Sequence, residues 1–228
     1  MATETPNASS LFTFEPSDIR LKVTYKGEAI TAHVSSSAMW FASPVWKKFI
    51  FPPWKTIAAS SQAVDTKYDH IAKKSKIPGC DRKDSNVNLP VEEVDFKDDN
   101  GEALLILLRI AHLRFQDNPA TLPYATLLQV AVLCDQYQCI NLVKPWLPQW
   151  LVDEKECSLK VGHENWLFIA WVFGREDIFA ALASMIVQRV KVDPATKELW
   201  MTSFNSGSKY KILEPMPERI LGNLVLPI

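Results

Sequence analysis

The side chains that could do chemistry are few, and their spacing is poor for it. Cys157-x5-His163, with His112 far upstream, offers metal-binding atoms. One Cys and one His at loose spacing fall short of the four-ligand set that a structural zinc needs, so no metal is expected. Cys134 and Cys139 lie five apart near the end of a helical stretch, where buried free cysteines are ordinary core residues. A nucleophile would need a positioned base, and neither a Cys/His nor a Ser/His/Asp arrangement is visible. The seven glycines are scattered and form no phosphate-cradling loop. The sequence therefore points away from an enzyme, with no catalytic residue, no cofactor and no small-molecule substrate expected.

What remains is binding. Of the eight tryptophans, Trp146, Trp150, Trp166 and Trp171 fit apolar helix faces, which favours core or an internal interface over a ligand cage. Lys73-Lys74-Ser75-Lys76 reads as a solvated loop in preference to a nuclear signal or a nucleic-acid contact. With 25 basic and 26 acidic residues the net charge is −1, which gives no field to attract nucleic acid or an anionic membrane. A protein partner is what the charge leaves, possession of a second copy of the chain included. The four cysteines form no C-x-x-C pair and no dense framework, as expected for a reduced compartment. MATETPNASS lacks the basic start and apolar run of a signal peptide, and no transmembrane segment is read. The expected location is cytoplasm, nucleus or both.

The elements that must position any binding surface are organised around Glu102 to Leu113 (EALLILLRIAHL), where nine of twelve residues are apolar. A helix apolar on nearly all sides must be covered on several sides, and about twelve residues are too few to span a bilayer. The sequence predicts the central buried helix of a domain, with Asp99-x-x-Glu102 as its capping box.

Around it, residues 1–16 read as a flexible N-terminus, within which Leu11-Phe12-Thr13-Phe14 alternates like a short strand or docking tail. Strict alternation of Ile19, Leu21, Val23 and Tyr25 with polar neighbours predicts a half-buried strand. Lys26-Gly27 turns it into a second strand over Ala29 to Val34. Ser35 to Ser37 cap one short helix, and Ser43-Pro44 starts another carrying Val45, Trp46, Phe49 and Ile50. Residues 55–85, with seven basic and four acidic residues, read as a disordered insertion, followed by a short strand at Asn86 to Leu89. Beyond the central helix come helices at Tyr124 to Tyr137 and Leu142 to Leu151, the latter interrupted by Pro145 and Pro148. A further pair follows at Asn165 to Phe173 and Asp177 to Val190, separated by Gly174. Residues 193–228 read as an irregular tail, with Leu221, Leu224, Val225 and Leu226 docked on the domain.

This order of elements resembles the BTB/POZ domain. Ser17-Asp18-Ile19, Ala32-His33 and Ser43-Pro44-Val45-Trp46 with Phe49-Ile50 beyond are similar to the family pattern of an Asp, an A-H pair and S-P-V-aromatic. Leu127 to Cys139, Lys144-Pro145-Trp146 and Trp150-Leu151 are similar to fungal members in particular. The pair around Gly174 resembles their C-terminal extension. The expected fold is α+β and BTB/POZ-like, a small three-stranded sheet flanked by helical hairpins with C-terminal helices. Residues 17–153 form the domain in this reading, and 154–192 the helical extension.

The resemblance implies a protein-interaction module without catalysis, often self-associating, acting as scaffold or adaptor. The alternatives it carries are a substrate adaptor of a cullin-type ubiquitin ligase and a transcriptional co-regulator. The family-pattern residues are Asp18, His33, Trp46, Phe49 and Ile50, with Phe12 and Phe14 as candidates for an exchanged strand. Seventeen residues before Asp18 are too few for the extra N-terminal helix and exchanged strand of the dimeric long form. Val34 replaces the basic residue that follows the His in many of those members. The apolar-x-Glu motif of cullin adaptors belongs between the second short helix and the next strand, whereas Val91-Glu92-Glu93 follows the strand expected at Asn86 to Leu89.

Overall fold

The computed structural model describes residues 8–52, 89–160, 162–193, 196, 199–202, 209–211 and 214–217. The expected disordered insertion, the Lys73 to Lys76 cluster and the docked apolar tail of residues 221–226 lie outside the described residues. Strands β1 (Ile19–Tyr25) and β2 (Glu28–Val34) form an antiparallel hairpin in register from Ile19↔Val34 to Tyr25↔Glu28. Lys26 and Gly27 both take positive φ, the local twist that a two-residue hairpin turn requires. Ile19, Leu21 and Val23 are buried while Arg20 and Lys22 face outward, as the alternation predicts.

The strand expected at Asn86 to Leu89 falls almost wholly outside the described residues. Residues 86–88 are outside the described set, Leu89 is exposed coil, and β3 is Glu93–Phe96, parallel to β1 and giving the order β2-β1-β3. Beyond Pro90, Val91 N–H donates to Ile50 O and Arg20 N–H donates to Glu92 O. The Glu93 carboxylate meets Lys22 Nζ across the strands at 2.5 Å, which is why so polar a tetrapeptide can be a strand.

Helices α1 (Ala8–Leu11), α2 (Ser36–Ala42) and α3 (Pro44–Ile50) lie around the hairpin, and α4 (Gly101–Ala111) is the predicted central helix. Residues Ala103 to Leu108 and Ile110 of α4 are all buried. Its cap is Asn100, whose Oδ1 accepts from Ala103 N–H at 3.0 Å; the expected Asp99 is instead an acceptor for Tyr137. Gly101 is required by space, since a Cβ there would sit 2.3 Å from the Thr24 carbonyl oxygen. The helix thus starts pressed against β1.

The remaining helices are α5 (Tyr124–Gln136), α6 (Ile140–Val143), α7 (Leu147–Trp150), α8 (Glu154–Cys157), α9 (Trp166–Val172) and α10 (Glu176–Arg189). Pro145 falls in the break that divides the predicted Leu142 to Leu151 helix, Pro148 sits in the first turn of α7, and Gly174, at φ +66°, separates α9 from α10. Helix α9 packs on α5 and α10, and Trp166, Leu167 and Ile169 join the same apolar core as α4.

Two segments carry more structure than the sequence suggests. Residues expected in a flexible N-terminus form α1 and then pair with β2 in parallel at Thr13↔His33. At the end of the expected helical extension and in the expected irregular tail, β4 (Val190–Val192), β5 (Leu199–Thr202) and β6 (Lys209–Lys211) form a second, antiparallel sheet in that order. Strands of three or four residues are too short to show a period. The chain is therefore of mixed α+β type, with a small three-stranded sheet and several helices. No helix among the described residues is long and apolar enough to cross a membrane.

Candidate functional site

Asp18 fixes the start of α2. Its Oδ1 accepts from Ser36 N–H and its Oδ2 from Ser36 Oγ–H, both at 2.6 Å. It thereby caps the helix in place of Ser35, whose side chain makes no cap bond. Ser43 fixes the start of α3 as its sequence promises, accepting from Val45 and Trp46 N–H while donating to Tyr137 O at 2.6 Å. Trp46 and Ile50 are fully buried. Phe49, half-buried, leans on Phe96 and Tyr137, whose rings also meet Trp46.

With α2 and α3 held this way, a row of apolar groups faces outward. Phe41 is 84% exposed and Trp40 and Phe49 are each 43% exposed. Trp40 stacks on Phe41 at 5.5 Å between ring centroids and meets Phe51 edge-on at 5.8 Å. Lys47 Nζ lies 4.8 Å above the Trp40 ring, a favourable cation–π placement. The only charges on the two helices are Lys47 and Lys48. The surface is aromatic with a basic rim and carries groups suited to recognition. Trp40 and Phe41 were legible as helix residues but not as a site. Adjacent helical positions point about 100° apart, so Met39-Trp40-Phe41 cannot all face one core. Met39 is the one fully buried.

The other sequence-derived candidates fall elsewhere. His33 is exposed, and its part in the fold is through its backbone, N–H donating to Phe12 O and C=O accepting from Phe14 N–H. It shares an open surface depression with Asp18, Arg20 and Glu92. Phe12 and Phe14 are fully buried against their own chain, so neither ring is displayed to a partner. His163 Nδ1–H donates to Cys157 O at 2.8 Å. Among the described residues no group of three His, Cys, Asp or Glu is placed to hold a metal.

Two polar centres escaped the sequence reading. Tyr137 O–H donates to Asp99 Oδ2 at 2.5 Å; burial pushes the Asp99 carboxyl up, against the hydrogen bonds from Tyr137 and Gln136. Burial and the Asp99 carboxylate raise the Tyr137 hydroxyl in turn. His112 accepts from Ser35 N–H through Nε2 at 3.0 Å and donates from Nδ1 to Leu108 O at 2.8 Å. These bonds define a neutral imidazole, with Phe14 stacked on it at 4.4 Å and the Arg114 guanidinium above Phe14. Burial, reinforced by Arg114, holds its pKa below the ordinary 6.5.

A depressed histidine pKa means that the unfolded chain binds the proton first. Stability is therefore fully present above 6.5, declines as pH falls below that value, and levels off beneath the folded-state pKa. Thermal melts from neutral to mildly acidic pH should show this decline, and His112→Gln should reduce it. An unchanged slope in the variant would assign the decline to other groups. In a search of protein-family models none matches the chain, and no curated protein matches it.

Proposed function

We propose that this chain is a non-catalytic protein-interaction module, BTB/POZ-like in the order of its elements, that self-associates through the Trp40–Phe41 face. The observation that carries the reading is Phe41, 84% exposed and stacked on a half-exposed tryptophan. Clustered exposed aromatics of this kind mark interaction surfaces, and Trp supplies much of the energy of measured interfaces. The order strand, strand, two short helices, strand, then helical pairs supports the family resemblance.

Salt response is the measurement that separates a second copy from an acidic partner. Two copies meeting here bring Lys47 and Lys48 toward their counterparts, so salt screens repulsion and association strengthens. An acidic partner would bind more weakly as salt rises. Sedimentation of the full chain should show dimers that gain stability at high salt. Phe41→Ser should return the protein to monomers while shifting stability by no more than about 0.5 kcal/mol. A monomer at every concentration and salt level would overturn self-association.

A second reading, the cullin adaptor, gains from the position of β3. Val91 and Glu92 lie between α3 and β3 and Glu93 opens β3, which sets the motif at the entry to this strand, next to the loop where the resemblance places it. Against it, Val91 is buried and Glu93 is paired with Lys22. Binding of a purified cullin that survives Phe41→Ser and fails in Glu93→Lys would favour this reading.

A further inference from the structure

We propose that the surface formed by Leu113, Phe115 and Trp146 docks an acidic peptide segment that carries large apolar side chains. It is built from other elements than the Trp40–Phe41 face: the loop that follows α4 and the break between α6 and α7.

The backbone points to it first. Helices α4, α5 and α9 end in the same motif, a residue of positive φ with two backbone bonds closing the last turn. In α4 these run from Leu113 N–H to Ile110 O and from Arg114 N–H to Arg109 O; the positive-φ residues of α5 and α9 are Gln138 and Gly174. Glycine takes this conformation freely, and a leucine side chain does not. Leu113 holds φ +61° with 75% of its surface exposed, so it bears a left-handed backbone and gains no burial in return. Fold stability alone favours glycine there; a contact made outside the chain accounts for leucine.

Leu113 has apolar company. Phe115 is 47% exposed, and its ring meets the partly exposed Trp146 at 5.4 Å between centroids. The Arg109 guanidinium donates to Asp117 O at 2.7 Å, which ties the loop carrying Leu113 and Phe115 to the last turn of α4. A surface held in place this way loses less freedom when it binds.

Charge selects the occupant. Arg109, Arg114 and Lys144 stand in these two stretches against one carboxylate, Asp117, and each is exposed at least in part. None of the three forms an ion pair among the described residues. A basic segment would be repelled, and a wholly apolar one would strip water from the cations without replacing it. Carboxylates flanking an apolar anchor answer both features.

A displayed library of random peptides, selected on the full chain, is the test. Recovered binders should be rich in Asp and Glu beside Leu, Phe or Trp, and should bind more weakly as salt rises. Leu113→Gly should weaken them about tenfold, while the melting temperature holds or rises because glycine suits the left-handed position. Phe115→Ser should weaken them as well, and Phe41→Ser should not. A lower melting temperature in Leu113→Gly would make the leucine a packing residue. That result, the absence of an acidic and apolar motif among the binders, or binders kept by Leu113→Gly and lost in Phe41→Ser would each overturn the proposal.

Discussion

Leu107→Asp will leave the chain largely unfolded at room temperature. Leu107 is fully buried in a helix whose neighbours on both sides in sequence are buried as well, so no rotation about the α4 axis brings an aspartate to water. Removing the leucine side chain alone costs about 2–5 kcal/mol. An unpaired buried carboxylate adds several more unless it takes up a proton, and protonation still leaves a polar group without a partner. Domains have only about 5–15 kcal/mol in total, so the two losses together exhaust most of it. Circular dichroism should show lost helix signal and no cooperative melt. A soluble variant with a normal transition would move the centre of the core away from α4.

That prediction rests on the part of the fold most legible in the sequence. A run such as Ala103 to Leu108 has one physical solution, burial on all sides, and the strict alternation from Ile19 to Val23 has another. Local polar chemistry was less legible because neighbouring residues compete for one role. Asp99 and Asn100 both suit the cap of α4; Asn100 takes it, and Asp99 is turned to Tyr137, 38 residues away in sequence. Likewise Ser35 has the right type to cap α2, yet the carboxylate that does so comes from Asp18. Partners distant in the chain leave no periodic trace. The same holds for β3, whose outward face is charged because Lys22 answers Glu93 across the sheet. At the Trp40–Phe41 face the aromatic residues and the starts of both helices were legible in the sequence; which ring stays outside depended on how α2 is anchored by Asp18.

The N-terminal segment shows most sharply how a polar, short stretch can hide a structural role, and Phe14→Ala tests it. Phe14 is fully buried, stacks on His112 and lies under Arg114, while its backbone N–H donates to His33 O at 2.8 Å. Phe12, two residues earlier, is on the same inward face and is also fully buried. The segment therefore acts as a short fourth strand that covers the outer edge of β2, an edge that would otherwise invite pairing with another chain. Truncating the ring should cost about 3–5 kcal/mol, read as a lower urea midpoint. Since the rings dock within one copy of the chain, the loss should not depend on protein concentration. The freed segment should also be cut more readily by proteases before Pro16, and the His33 amide should exchange faster with solvent. A loss that appears only at concentrations favouring dimers would mean that Phe14 docks between copies, as an exchanged strand does. Unchanged stability at every concentration would mean that the ring adds nothing to the core, against its full burial and its stack on a neutral histidine.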